Sequence, residues 1–291
     1  KVAVTTYDDD FIESFFTCMS HDTLMFVTDR GQLYWLKVYK IPEGSRTAKG
    51  KAVVNLINLQ PDEKIKAIIP TTDFSKNKSL AFFTKNGLVK RTNLSEYQNI
   101  RSIGVKAINL DENDELVTVV IATSDYDEKV VDDPDIIVEN ELEESGFDAL
   151  EEVIDSEIEA ISELEESEIE HILESIDELP ESSDEKMLFV VTKKGMCIKF
   201  PLSKVRQIGR VARGVTAIRF KEEGDEVVGA VVIENDSQEI LSVSQKGIGK
   251  RTTADEYRLQ SRGGKGVICM KLTSKTKDLV GVVMVDESMD L

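Results

Sequence analysis

The residues in this chain best placed to do chemistry are cations beside glycines. Arg46, Lys49 and Lys51 surround Gly50, Arg101 and Lys106 flank Gly104, Arg206, Arg210 and Arg213 lead up to Gly214, and Arg258, Arg262 and Lys265 lead up to Gly266. A second set follows other glycines: Lys90 and Arg91 after Gly87, Lys199 after Gly195, and Lys250 and Arg251 after Gly247. Guanidinium and ammonium groups recurring in this way suit the neutralisation of a row of phosphates, and an adjacent glycine lets the backbone approach and offer N–H donors. For any one arginine a solvated surface position is the better reading; the four-fold recurrence reverses that preference. The sequence has no Gly-x-x-x-x-Gly-Lys-Ser/Thr phosphate loop and no nucleophile elbow. His21 and His171 stand alone, so no metal site is expected.

The elements that must position these cations form a repeat. Thr28-Asp-Arg-Gly31, Thr84-Lys-Asn-Gly87, Thr192-Lys-Lys-Gly195 and Ser244-Gln-Lys-Gly247 each follow an apolar run, and their glycines are spaced by 56, 108 and 52 residues. Removing the 59 residues 127–185 from the middle interval leaves 49, so one unit of roughly constant length recurs. Each unit reads as short strands rich in Val, Ile, Phe and Thr, with glycine supplying positive φ at the hairpin turn. The expected fold is all-β and propeller-like, about four whole blades with partial ones beside them. It is built from 1–126 and 187–291, with an acidic insert at 127–186. A pair of β-sandwiches is the alternative. Phe11–Cys18 is expected to be a strand of a neighbouring blade, and the strand beginning at Leu279 to continue, so the chain reads as a fragment.

Charge is divided unevenly. The net charge is −19, yet residues 127–185 hold 26 acidic residues against one lysine; the remaining 29 acidic and 35 basic residues net +6. In the insert, Phe147, Leu150, Val153, Ile154, Ile158, Ile161 and Leu164, then Ile169, Ile172, Leu173, Ile176 and Leu179, follow helical spacing up to Pro180. One or two amphipathic helices are expected there. Such an insert could compete with DNA as an acidic mimic, or be a solvated insertion without that role. Three widely separated cysteines and the absence of a long apolar run point to a reducing, cytoplasmic setting without membrane contact.

Gln260-Ser-Arg-Gly-Gly-Lys-Gly266 resembles the Gln-Arg/Lys-Arg-Gly-Gly-Lys-Gly box in the C-terminal domain of the bacterial DNA gyrase A subunit, with Ser261 replacing a basic residue and Gln260, Arg262, Gly263, Gly264, Lys265 and Gly266 matching. Gly31–Pro42 with Arg46–Leu56, and Lys246–Tyr257, are similar to blades of that domain. The resemblance covers 1–125 and 187–291. It implies a β-pinwheel, six blades in the family, whose neighbours exchange strands and whose outer rim wraps double-stranded DNA so that the holoenzyme introduces negative supercoils. It also implies partners, the gyrase B subunit together with a second A subunit in an A2B2 assembly. ATP and Mg would be used elsewhere in that holoenzyme, as would the cleaving tyrosine, leaving this domain non-catalytic and without a cofactor. In the family the essential box precedes the first full blade, so the motif at 260–266 reads as a degenerate or relocated copy. Two alternatives remain: the matching domain from the A subunit of topoisomerase IV, presenting DNA without strong wrapping, and a propeller scaffold that docks proteins through its acidic insert.

Overall fold

The computed structural model describes residues 15–45, 48, 50–100, 103–123 and 185–285. The helices expected in the insert lie outside the described residues.

Every repeat begins with the same hairpin, for the same local reason. The hydroxyl of Thr28, Thr84, Thr192 or Ser244 accepts the N–H four residues on, at 3.2, 3.2, 3.3 and 3.2 Å. The turn glycine returns its N–H to the carbonyl of the same Thr or Ser, and Gly31, Gly87, Gly195 and Gly247 take φ of 71°, 85°, 80° and 72°. A side chain at that φ would be strained, which is why the turn ends in glycine.

Repeat 1 contributes β1 (Thr23–Thr28), β2 (Gln32–Lys37) and β3 (Ile65–Thr71). Repeat 2 contributes β4 (Lys78–Thr84), β5 (Leu88–Asn93), β6 (Val105–Lys106) and β7 (Leu116–Thr123). Repeat 3 contributes β8 (Met187–Thr192), β9 (Met196–Pro201), β10 (Val215–Thr216) and β11 (Val227–Ile233). Repeat 4 contributes β12 (Glu239–Ser244), β13 (Gly249–Thr253), β14 (Val267–Ile268) and β15 (Leu279–Val285).

These strands form four antiparallel sheets, ordered β3-β1-β2-β6, β7-β4-β5-β10, β11-β8-β9-β14 and β15-β12-β13. Each two-residue strand therefore leaves its own repeat and completes the sheet before it. At the opposite edge, β3, β7, β11 and β15 pack on one another from sheet to sheet, which makes them the inner row and the exchanged strands the outer one. The cores lie between consecutive sheets. Phe82 and Leu33 share one, Phe83 and Phe200 the next, and Phe189 and Tyr257 the third.

This arrangement explains the burial pattern. β1, β4 and β8 are buried on both faces, so they read as continuous apolar runs; β12 alternates, because the described residues cover one of its faces only. Exchange also carries side chains across. Ile108, Ile218 and Met270, each just past an exchanged strand, are buried in the core with the preceding sheet. Burying one such side chain contributes about 1.5–3 kcal/mol, so the exchanged segment holds by packing more than by its short ladder. Residues 15–18, expected to be part of a strand, form none; Phe16 instead packs over Leu24, Phe26 and Tyr34 with Val53 and Leu59.

Candidate nucleic-acid interface

In repeats 3 and 4 the chain ahead of the exchanged strand runs along the outer edge of the preceding sheet. It enters parallel, Gln207 beside Arg91 and Leu259 beside Lys199. There Ile208 N–H bonds Arg91 O, and Gln260 N–H bonds Lys199 O, both at 2.9 Å. It returns antiparallel, Val215 opposite Val89 and Val267 opposite Cys197. The intervening residues form an outward loop. Counted back from Gly214 and Gly266, Arg206 matches Arg258, Arg210 matches Arg262, and Arg213 matches Lys265.

Consecutive loops are tied together in register. Asn109 N–H bonds Ala212 O at 3.2 Å, and Arg219 N–H bonds Gly264 O at 2.9 Å. Asn109 and Arg219 hold the same place after their glycines, and Ala212 and Gly264 the same place before theirs. The cations of repeats 2, 3 and 4 therefore share one edge. Lys106 is exposed there, its ammonium on Asn109 Oδ1 at 2.7 Å. Arg206, Arg258 and Lys265 are exposed and enter no ion pair among the described residues. Arg213 is exposed and pairs with Asp111 at 2.5 Å, while half-buried Arg210 faces Glu96 at 4.0 Å. Lys51 is exposed in the loop of repeat 1. Arg46, Lys49 and Arg101 lie outside the described residues.

The cations on the strands behave differently from the expectation. Lys90 is fully buried, its Nζ donating to Ala107 O at 2.6 Å and Arg210 O at 2.7 Å. Burial pushes its pKa down to about 7, against the pull of Glu96. Arg91 is buried with Nε on Ser79 Oγ at 2.9 Å, and Lys199 is buried with Nζ on Ala254 O at 2.8 Å. None of the three is exposed: Lys90 lies under the crossing loop at Arg210, Arg91 turns onto β4 of its own sheet, and Lys199 turns onto repeat 4, where it also pairs with Asp236 at 3.1 Å. Lys250 and Arg251 are exposed on β13, with Nζ on Cys269 O at 3.4 Å and an ion pair to Glu239 at 3.3 Å. Their exposure comes from the edge of the fourth sheet, where no exchanged strand lies among the described residues.

The glycines of the 260–266 motif also do a different job from the one expected. Gly263 and Gly264 spend their N–H groups on Ala217 O (2.8 Å) and Ser261 O (3.3 Å), so they are not open to phosphate. Gly266 has φ of 71°, and a Cβ there would lie 2.3 Å from Cys197 O. It is glycine so that the exchanged strand can approach. Half-buried Arg262 gives Nη1 to Thr216 O at 2.6 Å and Nε to Lys204 O at 3.1 Å, clamping its loop to repeat 3. Gln260 is half-buried and Ser261 exposed. Sequence reasoning misses Arg219, exposed on the same edge beside Gly264. The signal that could have found it is Lys271, a cation at the same place after Gly266 as Arg219 after Gly214.

The class the fold defines is a strand-exchanged β-propeller, here with cations of successive repeats along its outer edge. The chain belongs to the DNA gyrase C-terminal domain, beta-propeller family, whose model matches residues 22–72, 78–123, 186–234 and 238–286, one segment per repeat. It is 78% identical over its whole length to the DNA gyrase A subunit of Campylobacter fetus, and 49% identical to that of Helicobacter pylori. It spans 31% and 28% of those proteins' lengths. Among solved structures it is similar in fold to the C-terminal domain of DNA topoisomerase IV. That comparison gives a TM-score of 0.64 and 23% identity, over 92% of this chain and 65% of the other. For a DNA gyrase A C-terminal domain the TM-score is 0.62 at 21% identity, over 93% and 68%.

Proposed function

We propose that this chain is the DNA-wrapping part of a gyrase A subunit, a non-catalytic module that bends duplex DNA along its outer edge for a type II topoisomerase. The observation that carries the reading is the register between loops: equivalent cations of successive repeats lie along one edge because Asn109 bonds Ala212 and Arg219 bonds Gly264. A row of cations on a curved edge neutralises successive phosphates and releases their counterions, and it does so without reading bases. The similarity to gyrase over the whole chain favours this over a topoisomerase IV role. In the assembled enzyme, strand cleavage and the use of ATP and Mg belong to other regions. Its partners are the gyrase B subunit together with a second A subunit in an A2B2 complex, working in the cytoplasm.

Titration of the chain with linear duplex DNA at several salt concentrations tests the proposal. The logarithm of affinity should fall steeply with the logarithm of salt, and Arg206→Ala, Arg258→Ala and Lys265→Ala should each flatten the slope by about 0.9. A protein-docking scaffold would show little affinity and no slope, and that result would refute the proposal.

A further inference from the structure

The loops of repeats 3 and 4 have the same shape but are held differently. In repeat 4 the arginine of the loop clamps it: Arg262 spends Nη1 and Nε on carbonyls of repeat 3. In repeat 3 the matching Arg210 makes no such clamp; its guanidinium faces outward toward Glu96, and the clamp comes from below. Lys90, on β5 under the loop, gives its Nζ to Arg210 O at 2.7 Å and to Ala107 O of repeat 2 at 2.6 Å, over the Phe82 ring at 5.3 Å. It is completely buried.

A buried ammonium is costly to keep, and the fold does not demand one at this place. The residue at the same position after the turn glycine is Tyr34 in repeat 1 and Ile198 in repeat 3, both buried without charge. In repeat 4 it is Lys250, which reaches the equivalent carbonyl, Cys269 O, at 3.4 Å. The charged groups facing Lys90 are Glu96, on the turn after β5, and Arg210, on the crossing loop.

We infer that Lys90 is a positioning residue for the DNA-facing loop of repeat 3, holding its backbone against repeat 2 so that the Arg210 guanidinium, which makes no clamp of its own, can turn from Glu96 to phosphate. The inference rests on the reading of the outer edge as the DNA site. Lys90 itself touches no ligand. It does for repeat 3 what Arg262 does for repeat 4, without using up a surface cation.

The test is the salt slope of duplex binding by the 291-residue chain with Lys90→Met, with Arg210→Ala and with both. The inference expects Lys90→Met, in folded protein, to flatten the slope by about 0.9, the worth of one phosphate contact, although Lys90 is not at the surface. Arg210→Ala should do the same, and the double variant should lose less than the two singles added. Faster amide exchange at residues 208–212 in Lys90→Met should accompany the loss. A folded Lys90→Met with an unchanged slope, beside an Arg210→Ala that lowers it, would overturn the inference and leave the DNA reading standing. An unchanged slope in Arg210→Ala would overturn the inference alone, and little affinity with no slope in the unsubstituted chain would overturn the DNA reading with it. Lys90→Ile, the side chain repeat 3 carries at this place, provides the same measurement if Lys90→Met does not fold.

Discussion

At the scale of single residues, the same side-chain type has opposite roles depending on what crosses above it. Lys90 and Lys250 hold equivalent places after their turn glycines; one is buried under the next repeat and the other lies open on β13. Sequence reasoning groups them because types and spacing match. It cannot separate them, since the difference is made by a segment more than a hundred residues away, at Arg210. The exposed loop cations were legible, because a cation in a glycine-rich loop has little else to cover it. Tyr34 shows how local polar chemistry is committed to the fold. Its hydroxyl donates to Glu63 Oε2 at 2.9 Å, and burial with that carboxylate pushes its pKa up to about 12. A raised folded-state pKa means the folded protein holds the phenol proton longer. The stabilisation is therefore complete below pH 10, the unfolded value, and is lost as pH rises toward 12. Denaturant midpoints measured across that window should fall with pH, and less steeply in Tyr34→Phe; an identical dependence in both proteins would count against the assignment.

At the scale of elements, the strand-exchange seam is what a one-dimensional reading misses. Turn glycines, apolar runs and repeat length were all legible, since each follows from local backbone preference. That Val105, Val215 and Val267 pair with the sheet before their own is a tertiary fact; the resemblance implied exchange, but no periodicity encodes which strand receives them. The seam depends on glycine at its closest point. Gly266→Val would place a side chain against Cys197 O at positive φ. It should destabilise the chain by at least about 1–3 kcal/mol, the usual cost of a residue forced into that region. Gly281→Ala is the matched control, because a Cβ there meets nothing within 4 Å. Urea midpoints should drop for the first and hold for the second; equal midpoints would mean that the seam contributes little.

At the scale of the whole molecule, the average charge conceals the basic character of the repeats. A chain of net charge −19 looks unsuited to DNA, but the sequence outside 127–185 nets +6. Removing 127–185 should raise duplex affinity at low ionic strength, with the difference closing as salt screens it. Affinity unchanged across the salt range would rule out an electrostatic role for the insert. The larger claim is that the loops form one continuous curved track, and DNA topology reads that geometry directly. The chain is bound to relaxed circular DNA, the circle is nicked and resealed, and the protein is removed. Wrapping predicts a shift in linking number that grows with bound protein and shrinks in the combined Arg206→Ala, Arg258→Ala and Lys265→Ala variant; a linking number unchanged at saturating protein would contradict it.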